Sequence, residues 1–490
     1  MLESKLFINL KFIHKKLNSA LIVRPLLIVF FCLITSGCQL IPYSKKEVDL
    51  SKINDHINVQ TPSAESFQDF LSSIKEVNFE PIDKGWNIDS LLAALYFFNT
   101  QIKIAEKDYQ SIKANEVIAK FRPQSSIGLE IGSGNNANDE ISNDIAGLNL
   151  LFPFETANKR LIRYEIALNT SQSSYENYRL VAWNERLKLV NAVIQYVFQI
   201  KKIKVIKNEL ITIQAIYNMN LRRFENGIND QLTLHQAKLD LQVAENKLKN
   251  LQLEQINLRK LISQTTGVRV NFLEKNPILA DNIINGQLTK IAIFHQNQVY
   301  QQWNEEASLS RIDLRKSLAN YAISEANLKL EVAKQYPDIK FNPAYLYDYG
   351  NKIWTLGITS LIPNIEKNKA LILRAEKIRD VEASRIIDLQ LQLVNDADNV
   401  VLLLDQAQQK FENAKNLLTE KENLLTNMQK KYNQGLISRY ELEKEKIKLY
   451  EIDYIYLDSL YNLVISGFEI EKTYQKPFVS KLNIEKQPNE

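Results

Sequence analysis

The chain is 490 residues long and contains only 13 glycines and 12 prolines. So few turn-formers disfavour an all-β protein of many turns and favour long helices, while 24% charged residues exclude a polytopic helical membrane protein and 45% hydrophobic residues exclude a disordered chain. The net charge of +4 belongs to the first 37 residues, where Lys5, Lys11, Lys15, Lys16 and Arg24 face one acid, Glu3; the balanced remainder has no clustered basic patch, so no nucleic-acid partner is expected.

In chain order, a basic stretch over 1–24 precedes the apolar run Leu26–Ile34 and then Thr35-Ser36-Gly37-Cys38. A charged region, a short apolar core and small residues describe a secretory signal over 1–37. The run is too short for a transmembrane anchor. Thr35-Ser36-Gly37-Cys38 resembles a bacterial lipobox, although Thr35 stands where leucine is commoner. The resemblance makes Cys38 the acylated first residue of the mature chain; cleavage at the same bond by an ordinary signal peptidase is the alternative. Gln39, where an aspartate would favour retention at the inner membrane, points on the same resemblance to the outer membrane. The other cysteine, Cys32, lies in the leader, so the mature chain has no intrachain disulfide. Residues 38–84 are polar without sustained periodicity and read as a lipidated tether.

The remainder is written twice. Ala119-Lys120-Phe121-Arg122-Pro123 recurs as Ala333-Lys334-Gln335-Tyr336-Pro337. The segment Gly147–Pro153 recurs as Gly357–Pro363, and Arg223-Phe224-Glu225-Asn226-Gly227 as Lys431-Tyr432-Asn433-Gln434-Gly435. Three colinear matches define a tandem duplication of about 210 residues. The repeats are placed at 85–286 and 287–475, with a C-terminal tail at 476–490. Each has a helix ending at a proline, two short alternating segments, a second proline, a very long helix, a glycine turn and a returning helix.

The long segments carry apolar residues at alternating spacings of three and four. In the first repeat these are Ile203, Ile206, Leu210, Ile213 and Tyr217, then Leu234, Ala237, Leu241, Ala244, Leu248, Leu251, Leu258 and Ile262. In the second, one seam is read as Val400, Leu403, Ala407, Ala414, Leu417, Leu424 and Met428, and another as Ile447, Tyr450, Tyr454, Leu457, Tyr461, Val464 and Phe468. A 3.5-residue repeat supercoils helices about a shared seam. The stretch from Pro153 to Gly227, if helical throughout, would reach about 110 Å. Gly227 and Gly435 supply the left-handed conformation that ends a helix, so each repeat is a helical hairpin with its tip at that glycine.

Between the prolines, over about 123–153 and 337–363, the period changes to two. Ile127, Leu129 and Ile131 alternate with Gly128, Glu130 and Gly132; Leu148, Leu150 and Phe152 with Gly147, Asn149 and Leu151. Phe341, Tyr345, Tyr347 and Tyr349 alternate with Asn342, Ala344, Leu346 and Asp348, and Trp354, Leu356 and Ile358 with Thr355, Gly357 and Thr359. Such runs suit membrane-spanning strands with aromatic residues at the lipid interface, though soluble hairpins alternate too. Four strands cannot close a membrane barrel, and an open edge in lipid is costly. Pooling strands from three chains would give twelve.

With these landmarks, residues 85–475 resemble the TolC family of outer-membrane channel proteins. Leu91-Leu92-Ala93-Ala94-Leu95 with Asn99-Thr100-Gln101-Ile102 is similar to the family's opening helix, and Arg311-Ile312-Asp313-Leu314 to its counterpart in the second repeat, with Thr100 and Ile312 in place of the usual prolines. The lipobox resembles that of the family's lipoprotein branch. The resemblance implies a mainly α fold with a small β part: a homotrimer whose twelve-stranded β-barrel sits in outer-membrane lipid and continues as a periplasmic α-helical coiled-coil tunnel. It implies a periplasmic adaptor and an inner-membrane pump or transporter as partners at the hairpin tips. Tyr432 matches a tip tyrosine and Glu441 an acid after the tip glycine, so Phe224, Gly227, Tyr432, Gly435 and Glu441 are the tip and gate candidates. Thr233 holds the corresponding acid position in the first repeat, and Ile437 stands where one family member has arginine, so the detailed latch does not carry over.

No catalytic constellation is found, and neither an enzyme activity nor a cofactor or metal is expected. The histidines are His14 in the leader, His56 in the tether, and His235 and His295 far apart on helices; no glycine-rich phosphate loop occurs. The expected function is a passive outer-membrane exit duct of a tripartite efflux or secretion system. The alternatives are a periplasmic adaptor lipoprotein, disfavoured by the low glycine and proline content, and a poreless envelope coiled coil, disfavoured by the paired strand segments.

Overall fold

The computed structural model describes residues 42–47, 49, 61, 65–74, 79, 82–133, 144–279, 281–296, 310–477 and 482. The leader, Cys38, His56, most of the tether and tail, and the His295 side chain lie outside them. The chain divides into two units, residues 1–58 and 59–490. In the first, residues 42–47 and 49 form no helix or strand, and Lys45 pairs with Glu47.

The second unit contains all the elements. Helix α1 (Glu65–Ser73) lies inside the stretch expected to be a plain tether. It forms because Phe67 and Leu71, one turn apart, bury a narrow stripe, and the Phe67 ring packs on Phe98 at 4.9 Å. Helix α2 (Ile88–Phe98) is apolar nearly all round and buried, as a helix enclosed by others must be. Asn99 caps the following helix, α3 (Thr100–Ala119). Its side-chain oxygen accepts from the N–H of Gln101 at 2.8 Å and of Ile102 at 3.1 Å, while its amide donates to Glu185 and to the Thr265 carbonyl. A buried asparagine is tolerated there because its bonding groups are matched.

Strands β1 (Ser126–Ser133) and β2 (Asp144–Phe154) lead into helix α4 (Lys159–Glu225), 67 residues long. It spans about 100 Å at 1.5 Å per residue. Helix α5 (Gln231–Thr266) returns along it, followed by the short α6 (Val270–Lys275) and α7 (Asp281–Gln296). The expected boundary between repeats, 286/287, falls inside α7. The second repeat runs through α8 (Ile312–Ala333), β3 (Ile339–Asp348), β4 (Asn351–Ser360), the 69-residue α9 (Ile365–Asn433) and α10 (Arg439–Tyr474). Among the described residues no helix is long and apolar enough to cross a membrane.

The hairpins zip along their seams. Ile203, Ile206 and Ile213 of α4 are buried, as are Ala237, Leu241 and Ala244 of α5. In α9 the seam differs from the expected one. Val400, Leu404, Ala407 and Ala414 are buried, with Phe411, Leu418, Lys421, Leu425 and Met428 half-buried between and beyond them, whereas Leu403, Leu417 and Leu424 are exposed. Successive residues are about 100° apart around a helix, so the two sets form separate stripes. Packing against α10 selects the first and leaves the second about half exposed among the described residues. A core at the root of the hairpins joins Trp86, Leu92 and Leu95 with Leu189, Phe198, Ile262 and Val464.

The four strands form one antiparallel sheet in the order β1-β2-β3-β4. Beneath it, Lys159 donates to Asp338 at 2.7 Å and Thr156 donates through its hydroxyl to the Pro337 carbonyl at 2.9 Å, tying the entry to α4 to the entry to β3. The β3–β4 turn places Tyr349 and Gly350 at φ 46° and 93°, the positive values that tight hairpin turns matching strand twist require.

Candidate functional site

Two surfaces stand out, the faces of the sheet and the hairpin tips. Cross-strand partners share a face, so the register sorts side chains across all four strands. One level aligns Leu129, Leu148, Tyr345 and Trp354; the next aligns Ile127 with Leu150 and Pro343 with Leu356; below, Phe152, Phe341 and Ile358 align, and then Phe154 with Ile339. This face is apolar at these levels apart from Ser360, opposite Ile339, and Lys352 stands opposite Tyr347 one level above. Aromatic rings lie on both sides of an aliphatic level: above it Tyr345 meets Trp354 at a tilt, at 4.6 Å, and below it Phe341 meets Phe154 of the next level edge-on at 6.1 Å. Trp354 is 79% exposed and Leu356 67%. From Tyr347 to Ile339 is about 27 Å along the strand, or about 21 Å of height at the tilt of barrel strands, against the roughly 25 Å apolar band of outer-membrane barrels.

The opposite face is mostly small and polar, with Ile145, Leu151 and the cross-strand pair Leu346–Ile353 as its large apolar members. Glycine there pairs with a larger polar residue: Gly128 with Asn149, Gly147 with Glu130, Gly357 with Asn342. Asn149 donates to Glu130 at 3.3 Å. The outer edges of β1 and β4 have no strand partner within this chain's sheet.

At the tips, Gly227 and Gly435 adopt φ 70° and 74°. The Gly227 N–H donates to the Phe224 carbonyl and that of Gly435 to the Tyr432 carbonyl, both at 2.9 Å; Ile228 and Leu436 then donate to Arg223 and Lys431 at 2.8 and 2.9 Å. Phe224 and Tyr432 therefore take equivalent places in the two repeats. Phe224 is exposed and Tyr432 half-buried.

Glu441 belongs to a capping box. Ser438 donates to its carboxylate through its N–H at 2.8 Å, and the Glu441 N–H donates to the Ser438 hydroxyl at 3.2 Å. The Ser438 N–H and hydroxyl hold the Glu441 carboxyl below the usual carboxylate range. At the equivalent place in the first repeat, Asp230 accepts from the Thr233 N–H at 2.8 Å, and the Thr233 hydroxyl and N–H lower the Asp230 pKa. Thr233, which stands where the second repeat has an acid, is thus half of the same cap with hydroxyl and carboxylate exchanged. The tips meet each other where Arg223 lies over the Tyr440 ring at 5.9 Å.

Sequence reasoning did not single out Ile228 and Leu436. Each follows a tip glycine and is about two-thirds exposed. The signal was present, since both repeats place a large apolar residue directly after that glycine.

The family model described as outer membrane efflux protein matches residues 99–268. The fold is similar to that of the outer membrane protein VceC from Vibrio cholerae, with TM-score 0.62 and 12% identity over 80% of this chain and 96% of that one. It is also similar to the Campylobacter jejuni CmeC outer membrane channel, with TM-score 0.62 and 14% identity over 89% of this chain and 94% of that one. The open state of the Neisseria gonorrhoeae MtrE outer membrane channel matches with TM-score 0.57 and 13% identity, over 89% of this chain and 98% of that one. No curated protein sequence matches the chain. Residues 99–268 thus match the outer membrane efflux protein family model, and they lie within a fold similar to that of these outer-membrane channels.

Proposed function

We propose that this protein is an outer-membrane efflux duct that works as a homotrimer, receiving substrate at its hairpin tips from a periplasmic adaptor and an inner-membrane pump. The observation that carries this is the sheet. A largely apolar face with aromatic rings on both sides of an aliphatic level backs onto a mostly small and polar face, and the outer edges of β1 and β4 have no partner in this chain's sheet. Three copies joined β1 to β4 would close a twelve-stranded barrel and satisfy every edge. The exposed stripe of Leu403, Leu417 and Leu424 supports burial against a neighbouring chain. The duct itself holds no catalytic role; energy comes from the pump.

The tips, with Phe224, Gly227, Tyr432 and Gly435, are the adaptor-docking surface and periplasmic mouth in this reading, and exposed Ile228 and Leu436 supply the apolar contact. Cys38 is the lipidated first residue, and the acyl chain adds to an insertion that the barrel drives alone.

Single-channel conductance by detergent-resistant trimers tests the duct. Protein that remains monomeric and silent in bilayers would overturn it. Cysteines at Asn226 or Gln434 should crosslink to an adaptor in cells; their labelling from outside intact cells would reverse the orientation. Mass spectrometry of the mature amino terminus tests acylation of Cys38.

A further inference from the structure

At the base of the sheet a cleft of about 540 Å³ opens between the end of α3, the end of β2 and the first turns of α4. Four cations line it: Lys120, Arg122, Lys159 and Arg160. Lys159 is committed to Asp338 and the Tyr336 carbonyl at 2.7 and 2.5 Å. The acid in the lining, Glu155, is committed to Arg163 through both carboxylate oxygens. That leaves Lys120, Arg122 and Arg160 as uncompensated charges. Lys120 lies over the Tyr164 ring at 4.6 Å; Arg122 and Arg160 are exposed and make no hydrogen bond or ion pair with the described residues.

The apolar wall of the cleft is the lower end of the lipid-facing surface. Phe152 and Phe154 line it, and Phe121 and Leu161 lie exposed beside the cations. Cations immediately beyond an aromatic level sit at headgroup depth when the apolar face is in hydrocarbon. The second repeat lacks the arrangement: Tyr336 stands in place of Arg122, and Lys334 is paired with Glu331 at 2.7 Å. Lys367 and Lys369 also begin α9, where Lys369 donates to Glu366 at 3.4 Å.

We propose that this cleft binds the phosphate headgroup of an anionic glycerophospholipid in the periplasmic leaflet, with the acyl chains lying along Phe152 and Phe154. The proposal rests on the outer-membrane reading above. Three such sites around a trimer would form a belt that fixes the depth of the barrel.

The test uses full-length protein in neutral detergent, supplied with phosphatidylglycerol or with zwitterionic phosphatidylethanolamine, and native mass spectrometry. Phosphatidylglycerol should be retained preferentially, up to one per chain. Each surface cation contributes roughly fivefold to such binding, so the triple change Lys120→Gln, Arg122→Gln, Arg160→Gln should weaken retention on the order of a hundredfold. Lys334→Gln with Lys340→Gln, the control in the second repeat, should leave retention unchanged. Circular dichroism establishes that the variants fold. Equal retention of the two lipids, or undiminished retention by the triple variant, overturns the proposal. Complete displacement by inorganic phosphate would make the cleft a free-anion site and also overturn it, as would a conducting trimer that retains no phosphatidylglycerol because a neighbouring chain covers the cleft. Conductance of the same parent preparation tests the duct separately, so silent protein that still retains the lipid counts against the duct and not against the site.

Discussion

Arg186 and Glu471 are both shielded completely from water and lie 3.3 Å apart. Arg186 also donates to the Leu482 carbonyl at 2.9 Å, and Gln287 donates to the second oxygen of Glu471 at 3.4 Å. One ion pair thus gathers α4, α7, α10 and the tail. Such a pair contributes little against a well-packed apolar replacement, but breaking it strands a buried charge. Glu471→Ala should therefore cost about 3–5 kcal/mol, read as a large fall in thermal midpoint, while Arg186→Met with Glu471→Leu should cost much less. A smaller effect for the single change than for the double would contradict this account. Glu441 is a milder case. Its folded-state pKa is lowered, so its contribution to the α10 cap is present above the ordinary glutamate pKa of about 4.3 and is lost as pH falls through the lowered folded value. Tip amides should exchange faster in Glu441→Ala than in the parent at neutral pH and alike in acid, whereas Glu441→Gln should protect them at both. Divalent-cation block of conductance that Glu441→Gln relieves would add a ring of charge at the mouth to this capping role.

At the scale of elements, the second hairpin carries a charge in its seam. Lys421 occupies a position that heptad spacing reserves for an apolar residue, and its ammonium pairs with Glu445 of α10, which also accepts from Lys448 at 2.7 Å. Lys421, then Lys448, hold the Glu445 carboxyl below its ordinary range. A polar residue at one seam position fixes register at some cost in stability. Lys421→Leu should keep or raise the thermal midpoint but broaden the distribution of cysteine crosslinks between α9 and α10. Lys421→Ala should lower it by a few degrees at neutral pH. That deficit should shrink as pH falls through the lowered pKa of Glu445, because the partner then becomes neutral in the parent too. Unchanged register in Lys421→Leu would remove the specificity argument. The first repeat has its own interhelix cation: Lys202 of α4 donates to Asp458 of α10 at 2.8 Å and lies over Tyr454 at 5.0 Å.

For the molecule as a whole, the two faces of the sheet make opposite demands. A charge in the middle of the lipid face of a barrel costs about 2–4 kcal/mol of insertion, whereas one on the lumen face is solvated. Leu356→Arg should reduce the amount of trimer recovered from the outer membrane, and Thr355→Arg, one residue away, should insert normally and alter ion selectivity. Equal insertion of both would mean that the apolar face is not in lipid.

The sequence alone carried the duplication, the hairpin tips, the strand pairs and the seam of the first repeat. These are local signals: a glycine needing positive φ at 227 and 435, a period of two between prolines, and apolar spacings of three and four. It also carried the contrast between the sheet's faces, because alternation within a strand is independent of register. Tertiary structure decided what depends on a partner distant in sequence. Leu404 and not Leu403 enters the α9 seam because α10 lies on that side. Phe67 forms a helix in the tether because Phe98 offers it a surface. Ile312 replaces the usual proline at the first position of α8, where no intrahelical bond is available to an N–H, and Gln475 accepts that N–H at 2.7 Å. The cations around the cleft are scattered from 120 to 160 in the chain, and only the return of β2 beside the end of α3 brings them together. Periodicity reports how a segment faces its surroundings, and the fold determines which surroundings those are.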